Sequence, residues 1–196
     1  MCLIIYSPTG DLLERPVFED ARLGNPHGIG IMSRRGVQKF LGRTAGRRAW
    51  QCLRQLSESH IPYGIHFRWA THGDVTRGNC HPFYAPKSDA IVMHNGVLHT
   101  AEDSTPSQSD TSLFVEKLMA FAPGPESQMY SQYYHLLSMA IGRSNMFLIL
   151  HTLTGEFTIC NESSGEWIGQ HWYSNPFFIP GYIGDASWGA FDPEHW

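Results

Sequence analysis

With 196 residues, 42% of them hydrophobic, the chain is long enough to bury the core of one globular domain. Its net charge of -4 argues against nucleic-acid binding, and it contains no apolar run of about 18 residues that could span a membrane. The four cysteines show no paired short spacing, so we expect neither a disulfide framework nor a metal site. We therefore expect a single cytoplasmic domain over residues 1–196, without a cofactor.

The first predicted strand covers residues 2 to 7, and it begins with Cys2 directly after Met1. Removal of Met1 would leave the Cys2 thiol beside a free α-amino group, so one residue would supply both a nucleophile and a base. An unperturbed α-amino group titrates near ~8, which keeps a useful fraction neutral at cytoplasmic pH. Cys2 is therefore a candidate nucleophile, although a cysteine at this position is usually an ordinary apolar residue at the start of a strand.

Six further strands are predicted, at residues 28 to 32, 37 to 41, 63 to 70, 90 to 94, 146 to 151 and 156 to 161. Helices are predicted at residues 45 to 58, 110 to 121 and 127 to 142. From residue 171 onward the chain is crowded with aromatic residues, glycine and proline, which predicts an irregular tail over residues 171–196. This tail either packs on the domain or forms a contact surface for a partner enzyme or a second copy.

Three polar groups stand at the ends of these predicted elements. Arg68 lies at the end of one strand, Asn95-Gly96 follows another, and Asp110 stands where a helix begins. Each also has a simpler interpretation. Arg68 could be a surface or interface arginine, Asn95-Gly96 a hairpin turn and Asp110 the N-cap of its helix.

Four short motifs, in this order along the chain, resemble the glutaminase domain of the class II glutamine amidotransferases. They are the initial MC, the run HFRWATHG followed by NCHPF, the tripeptide HNG, and SDTS. In that family they correspond to the processed N-terminus, the arginine loop, the oxyanion segment and the amine-binding aspartate. Residues 22 to 31 depart from the synthase-type members, since His27-Gly28 stands where those proteins have an Arg-Gly pair. This difference leaves open which acceptor reaction the protein serves.

The resemblance implies an α+β fold, the four-layer αββα arrangement of N-terminal-nucleophile hydrolases with two stacked, mainly antiparallel sheets. It implies that Cys2 attacks the glutamine carboxamide while the Asn95 side chain and the Gly96 N–H stabilise the oxyanion. Arg68 would bind the α-carboxylate with its planar fork, and Asp110 would accept hydrogen bonds from the α-ammonium. Further residues implied to shape the pocket are Trp69, Thr71, His72 and Gly73, together with His27 and Gly28.

The implied reaction hydrolyses the side-chain amide of glutamine through a thioester on Cys2, and it yields glutamate and ammonia. Since we expect no second domain, the ammonia would pass to a separate synthetase or transferase subunit. Two alternatives stay open: an N-terminal-nucleophile hydrolase of another γ-glutamyl amide, and a noncatalytic binding module that kept the fold. The sequence also leaves open whether the protein forms a homo-oligomer.

Overall fold

The computed structural model describes residues 2–70, 74–98 and 108–176 of the chain. In chain order its strands are β1 (Leu3–Ser7), β2 (Ile29–Ser33), β3 (Gly36–Phe40), β4 (Tyr63–Phe67), β5 (Phe83–Tyr84), β6 (Ala90–Asn95), β7 (Met146–His151), β8 (Phe157–Cys160), β9 (Glu166–Ile168) and β10 (His171–Tyr173). Its α-helices are α1 (Arg15–Gly24), α2 (Ala45–Ser57), α3 (Asp110–Leu118) and α4 (Tyr130–Ile141), and a short 3-10 helix covers Glu162–Ser164.

The strands form two antiparallel sheets. The larger sheet has the order β3-β2-β4-β1-β10-β9, and the smaller has the order β5-β6-β7-β8. Strand β1 lies in the interior of the larger sheet, between β4 and β10. Cys2 immediately precedes β1, so the candidate nucleophile stands at the end of a strand that is paired on both sides.

Three apolar cores separate the layers of the fold. Helices α1 and α2 pack on the outer face of the larger sheet through a core that includes Phe18 and Leu53. The two sheets face each other through a second core with Met93 and Leu148. Helices α3 and α4 cover the smaller sheet through a third core around Phe147. The prediction of an α+β fold with two stacked antiparallel sheets between helices is therefore confirmed.

The two sheets approach closely at Gly64 of β4. A Cβ atom at this position would lie 2.5 Å from Cδ2 of Leu148 on the facing sheet. A larger residue would push the sheets apart, because interiors are packed at the density of organic crystals. Gly64 thus fixes the separation of the sheets on which the candidate site is built.

Most predicted elements are confirmed, with shifted ends. The helix predicted from residue 110 ends at Leu118, and the one predicted from residue 127 begins at Tyr130. Helix α1 and strands β5 and β9 were not predicted. The sequence of α1 nevertheless carries helix signals, since Pro16 stands in its first turn and its buried residues Val17, Phe18 and Ala21 share one face.

The prediction of an irregular tail is wrong for residues 171 to 173. They form β10, which pairs with β1 and β9, and Trp172 is fully buried in the core between the sheets. A three-residue strand shows no local periodicity, because its stability comes from hydrogen bonds to strands that are distant in the sequence. Residues 177–196 of the predicted tail lie outside the described residues.

Within the described ranges, no helix has the length and apolar character needed to cross a membrane. The four cysteines, Cys2, Cys52, Cys80 and Cys160, are all free thiols. The same part of the chain contains no group of three or more histidine, cysteine or acidic side chains arranged to hold a metal ion.

Candidate active site

Cys2 lies against the chain segment that follows β4. The pairing of Leu3 with Phe67 brings Cys2 level with the residues after that strand. Its Sγ atom donates to the backbone oxygen of Trp69 at 3.3 Å and accepts from the backbone nitrogen of the same residue at 3.3 Å. These two contacts hold the sulfur at a defined place at the end of the larger sheet.

Opposing influences act on the Cys2 thiol. Burial raises its pKa above the usual range of a cysteine, and the Asp110 carboxylate adds to this rise. The hydrogen bond from the Trp69 backbone and the positive charge of Arg68 lower the same pKa but do not overcome the burial. Cys2 is therefore a neutral thiol at pH 7, and it needs a base to become a nucleophile.

Arg68 is buried, with 3% of its surface exposed, so the interpretation as a surface arginine is wrong. Its Nη1 atom donates to the backbone oxygen of Asp74 at 3.1 Å. The same oxygen accepts from the side-chain nitrogen of Asn79 at 3.2 Å. The guanidinium is thus held by the loop that follows the HFRWATHG motif.

His27 and Gly28 extend the pairing of β2 and β4 toward the site. The backbone nitrogen of His27 donates to the oxygen of Arg68 at 3.0 Å, and the nitrogen of Arg68 donates to the oxygen of Gly28 at 2.9 Å. The His27 ring accepts from the Ala70 nitrogen at its Nδ1 atom and lies 5.4 Å from the Trp69 ring, between centroids. Trp69 itself is 43% exposed. These contacts put His27 and Gly28 beside Arg68 and Trp69.

Asn95 is the last residue of β6 and is buried. Its side-chain nitrogen donates to Oγ of Ser174 at 2.9 Å, and that same oxygen accepts from the backbone nitrogen of Ile4 at 2.8 Å. Ser174 therefore connects the end of β6 with the strand that follows Cys2. The interpretation of Asn95-Gly96 as a hairpin turn is wrong, because the next strand among the described residues, β7, begins only at Met146, after helices α3 and α4.

Gly96 has a backbone conformation with φ of 139°, which residues with a side chain rarely adopt. A Cβ atom here would lie 2.2 Å from Oδ1 of Asn145 and 2.8 Å from the backbone oxygen of Ser144. Both the conformation and the close packing therefore require glycine, and they fix the direction of the backbone directly after Asn95.

Asp110 is the first residue of α3, but it is not the N-cap. Ser109 is the N-cap, and its side chain accepts from the nitrogen of Ser112 at 3.2 Å. The Asp110 carboxylate instead accepts from the backbone nitrogen of Leu98 at 2.8 Å and from that of Thr111 at 2.8 Å. Asp110 thus ties the segment after Gly96 to the start of the helix, and its negative charge reaches the Cys2 thiol.

Three buried histidines lie near these residues: His66 on β4, His94 on β6 and His81 shortly before β5. The His66 and His81 rings are 4.1 Å apart and those of His81 and His94 are 6.5 Å apart, between centroids. Nε2 of His66 donates to the His94 backbone oxygen at 3.1 Å. Among the described residues, neither ring nitrogen of His81 has a hydrogen-bond partner. The cluster is therefore polar, buried and only partly hydrogen-bonded.

Burial keeps all three histidines neutral. It lowers the pKa of His66 to about 3, assisted by the nearby His94, and lowers that of His94 to about 4. Burial also lowers the pKa of His81 well below its usual range. The His94 ring contacts Oγ1 of Thr111 at 2.8 Å and Oδ1 of Asn145 at 2.9 Å. Since that amide oxygen can only accept, Nε2 of His94 carries its proton.

The predicted site residues form two groups. One group, which we call the β1–β4 half, contains Cys2, His27, Gly28, Arg68 and Trp69. The other, which we call the β6–α3 half, contains Asn95, Gly96 and Asp110. Thr71, His72 and Gly73 lie outside the described residues.

Sequence reasoning missed the residues that join these two halves. Ser174 connects Asn95 with Ile4, and Asn79 connects the Asp74 loop with the start of α3. Asn145 acts within the β6–α3 half, where it contacts the His94 ring and packs against Gly96. A signal existed for Asn79, which opens the motif NCHPF. Asn145 and Ser174 stand outside every motif, so their roles follow only from three-dimensional contacts.

No protein-family model matches the chain. Among curated proteins, it is similar to the glutamine–fructose-6-phosphate aminotransferase (isomerizing) of Halalkalibacterium halodurans, at 30% identity over 126 residues, which cover 59% of this chain and 20% of that protein. The enzyme of the same name from Geobacillus kaustophilus is 31% identical over 106 residues, covering 48% of this chain and 17% of that protein.

The enzyme of the same name from Chlamydia caviae is 27% identical over 115 residues, covering 57% of this chain and 17% of that protein. The matched region thus spans about a fifth of the length of these curated relatives. The motifs, the stacked antiparallel sheets and these relatives agree, and the chain carries a class II glutamine amidotransferase domain of the N-terminal-nucleophile type.

Proposed function

We propose that this protein hydrolyses the side-chain amide of glutamine through a thioester on Cys2, giving glutamate and ammonia. The observation that carries the proposal is that the Cys2 sulfur is hydrogen-bonded to the backbone of Trp69, the residue directly after the buried Arg68, while the charge of Asp110 also acts on the thiol. A free amino acid presents one carboxylate and one ammonium on the same carbon. A nucleophile near one charge of each sign is therefore suited to a substrate with that head group.

In this proposal the two charged residues bind the head group of glutamine. Arg68 pairs with the α-carboxylate, for which the planar guanidinium fork offers bidentate geometry. Asp110 accepts from the α-ammonium. Its two oxygens already accept from the nitrogens of Leu98 and Thr111, and a carboxylate has about four lone-pair sites, so it can accept from an ammonium as well.

Cys2 carries out the covalent step after Met1 is removed. Burial raises the pKa of its thiol, so the sulfur needs a base, and the α-amine of Cys2 that is freed by the loss of Met1 takes the thiol proton as sulfur attacks the carboxamide carbon. The C–N bond then breaks, the amine returns the proton to the leaving nitrogen, and ammonia departs. Water attacks the remaining γ-glutamyl thioester, giving glutamate and the free thiol.

Asn95 and Gly96 stabilise the oxyanion of the tetrahedral intermediates. One N–H of the Asn95 amide donates to Ser174, and this contact orients the group so that its second N–H can serve the oxyanion. The Gly96 backbone N–H is the second donor. His27, Gly28, Trp69, Thr71, His72 and Gly73 shape the pocket around the substrate side chain.

We also propose that the ammonia is used at an acceptor site outside these 196 residues, on a separate synthetase or transferase. The name of these relatives makes glutamine the amino donor and fructose 6-phosphate the acceptor, but the matched region is only about a fifth of each. We treat residues 1–196 as one domain that performs the glutaminase step. We place the reaction in the cytoplasm, where reduced thiols persist.

Intact mass spectrometry tests this proposal directly. The purified protein is measured before and after exposure to a diazoketone analogue of glutamine, alongside Cys2→Ala, with Cys52→Ala as the matched control. Loss of Met1 and one adduct, absent only in Cys2→Ala, are expected together with glutamate release from glutamine. Retained Met1 would favour the noncatalytic module. A processed protein that ignores glutamine but cleaves a γ-glutamyl anilide would favour the hydrolase of another γ-glutamyl amide.

A further inference from the structure

Asn79 joins the supports of the two charged residues of the site. Its Nδ2 atom donates to the backbone oxygen of Asp74 at 3.2 Å, the same oxygen that accepts from Nη1 of Arg68 at 3.1 Å. Its Oδ1 atom accepts from the backbone nitrogen of Ser109 at 3.0 Å, one residue before Asp110. A single amide therefore spans from the partner of Arg68 to the N-cap of the helix that begins with Asp110.

The environment of Asn79 makes this connection rigid. The residue is 2% exposed, and its donor and acceptor atoms both contact backbone groups. Removing the amide would leave a buried N–H and a buried carbonyl with a lost partner, which costs more than a solvent-exposed hydrogen bond. The Asp74 oxygen also accepts from the Thr76 nitrogen at 2.8 Å, so the loop is already anchored where Asn79 meets it.

The spacing of the two charged residues matters for the substrate. The carboxylate and the ammonium of an amino acid are bonded to one carbon, so their separation is fixed by covalent geometry. Arg68 directly follows β4 of the larger sheet, whereas Asp110 begins helix α3, so no covalent geometry fixes the distance between their side chains. A site that must contact both charges at once therefore needs a structural element that sets the distance between its two receptors.

We propose that Asn79 is a positioning residue that sets the spacing between Arg68 and Asp110, so that both charges of one glutamine head group are bound together. This role rests on the proposed glutaminase function. Asn79 does not touch the substrate in this account. It acts through the Asp74 oxygen on one side and through the Ser109 nitrogen on the other.

The test uses ligands that carry both charges or only one. Glutamine has both, glutaramate lacks the α-ammonium, and 4-aminobutanamide lacks the α-carboxylate. We expect Asn79→Ala to raise the KM for glutamine about tenfold, because two receptors can no longer be satisfied at once. Inhibition constants for the two single-charge analogues should change by less than about threefold, since each needs only one receptor.

Asn25→Ala is the matched control. Asn25 is also fully buried, and its amide donates to the Ala21 oxygen within α1 at 3.1 Å. This variant should lower the melting temperature without changing the ratio of the glutamine KM to the two inhibition constants. Asn79→Ser, which keeps a hydroxyl able to accept from Ser109, serves as the second variant if Asn79→Ala does not fold.

Equal weakening of all three ligands by both Asn79 variants would overturn the positioning role and assign Asn79 to general stability. An unchanged KM for glutamine in a folded variant would overturn it as well. These results differ from a failure of the proposed function, in which the wild-type protein itself neither releases glutamate nor reacts with the diazoketone at Cys2, and the positioning role falls with it.

Discussion

The two halves of the site are held in place by different kinds of interactions. The β1–β4 half is held mainly by backbone hydrogen bonds: β1 pairs with β4, and His27 and Gly28 continue the pairing of β2 with β4 through Arg68. The β6–α3 half is held mainly by hydrogen bonds of side chains. Asp110 accepts from Leu98, His94 contacts Thr111 and Asn145, and Asn95 donates to Ser174.

This difference has consequences for how each half responds to change. Backbone pairing depends little on which side chain a position carries, so the β1–β4 half should tolerate substitution away from its reacting groups. A buried network of polar side chains depends on every member, because an unpartnered buried group is costly. We therefore expect the β6–α3 half to be the more fragile, and to depend on the protonation of its histidines.

The largest effect is expected from Gly96→Ala in the β6–α3 half. The new Cβ would collide with Oδ1 of Asn145 and the Ser144 oxygen, and alanine disfavours the φ of 139° at this position. Displacing one oxyanion donor costs about 10²–10³ in kcat. We expect a loss of this size in glutamate release, measured in a coupled glutamate dehydrogenase assay.

Gly36→Ala is the control, because it introduces backbone strain without displacing the oxyanion donor at Gly96. Gly36 also has a positive φ, 107°, but a Cβ there meets nothing within 4 Å. Its substitution should lower stability by about 1 kcal/mol and leave kcat unchanged. A Gly96→Ala enzyme with wild-type kcat would show that the Gly96 backbone is not an oxyanion donor.

The sequence predicts the two halves unequally well. The strand that carries Cys2 and the strand that carries Arg68 are apolar runs, so periodicity finds them. In the β6–α3 half, Asn95-Gly96 has the composition of a hairpin turn, yet the structure ends β6 there without a hairpin. Serine and aspartate are both preferred N-cap residues, so the sequence does not tell which of Ser109 and Asp110 caps α3. In the structure Ser109 is the cap, because its hydroxyl accepts from the nitrogen of Ser112.

Residues that act through distant partners leave no local pattern. β10 and Ser174 owe their places to β1, which lies at the other end of the chain, so the segment could only be predicted as irregular. Asn79 and Asn145 are single polar residues whose partners come from other elements. The resemblance to a family supplies candidate reacting groups, whereas the residues that hold those groups emerge only from the fold.

The next effect in size concerns the β1–β4 half. Arg68→Lys keeps the positive charge but loses the planar fork and the geometry of the bond to the Asp74 oxygen. We expect the KM for glutamine to rise by about 10- to 100-fold, as for loss of a hydrogen bond to a charged group, with a smaller change in kcat. Steady-state kinetics at increasing glutamine concentrations measures both.

Arg54→Lys is the control for this change, because Arg54 is an exposed arginine on α2 that pairs with Glu58 at 3.6 Å. Exposed ion pairs contribute little, so its KM and kcat should equal those of the wild type. An Arg68→Lys enzyme that is equally unaffected would remove Arg68 from carboxylate binding and leave its role as a structural anchor.

The smallest effect is a dependence of stability on pH that comes from the histidines under the β6–α3 half. The pKa of His66 is lowered to about 3 and that of His94 to about 4, whereas an unfolded histidine has a pKa near ~6.5. Below pH ~6.5 the unfolded chain therefore binds protons that the folded protein does not. The histidines' contribution to stability is complete above that pH and is lost progressively as the pH falls toward the folded values.

Each such histidine adds a slope of at most about 1.4 kcal/mol per pH unit to the free energy of unfolding. Urea unfolding between pH 7.5 and 5.5 measures this slope with little contribution from ordinary carboxylates, which titrate at lower pH. His151, whose pKa is also lowered by burial, adds to the slope in every variant. Besides burial, the Arg68 charge lowers the pKa of His66 and His81, whereas the Asp110 charge raises that of His94. The two charged residues of the site thus have opposite effects on the pKa values of the histidines.

His81→Leu removes one buried ring whose nitrogens have no partner among the described residues. In this variant the free energy of unfolding should depend less steeply on pH, by the equivalent of about one proton taken up on unfolding, because one fewer group becomes charged when the chain unfolds. His135→Gln, an exposed substitution on α4, should leave the slope unchanged. An equal slope in His81→Leu and the wild type would mean that His81 is protonated to the same extent in both states, and His81 would then not contribute to the loss of stability in acid.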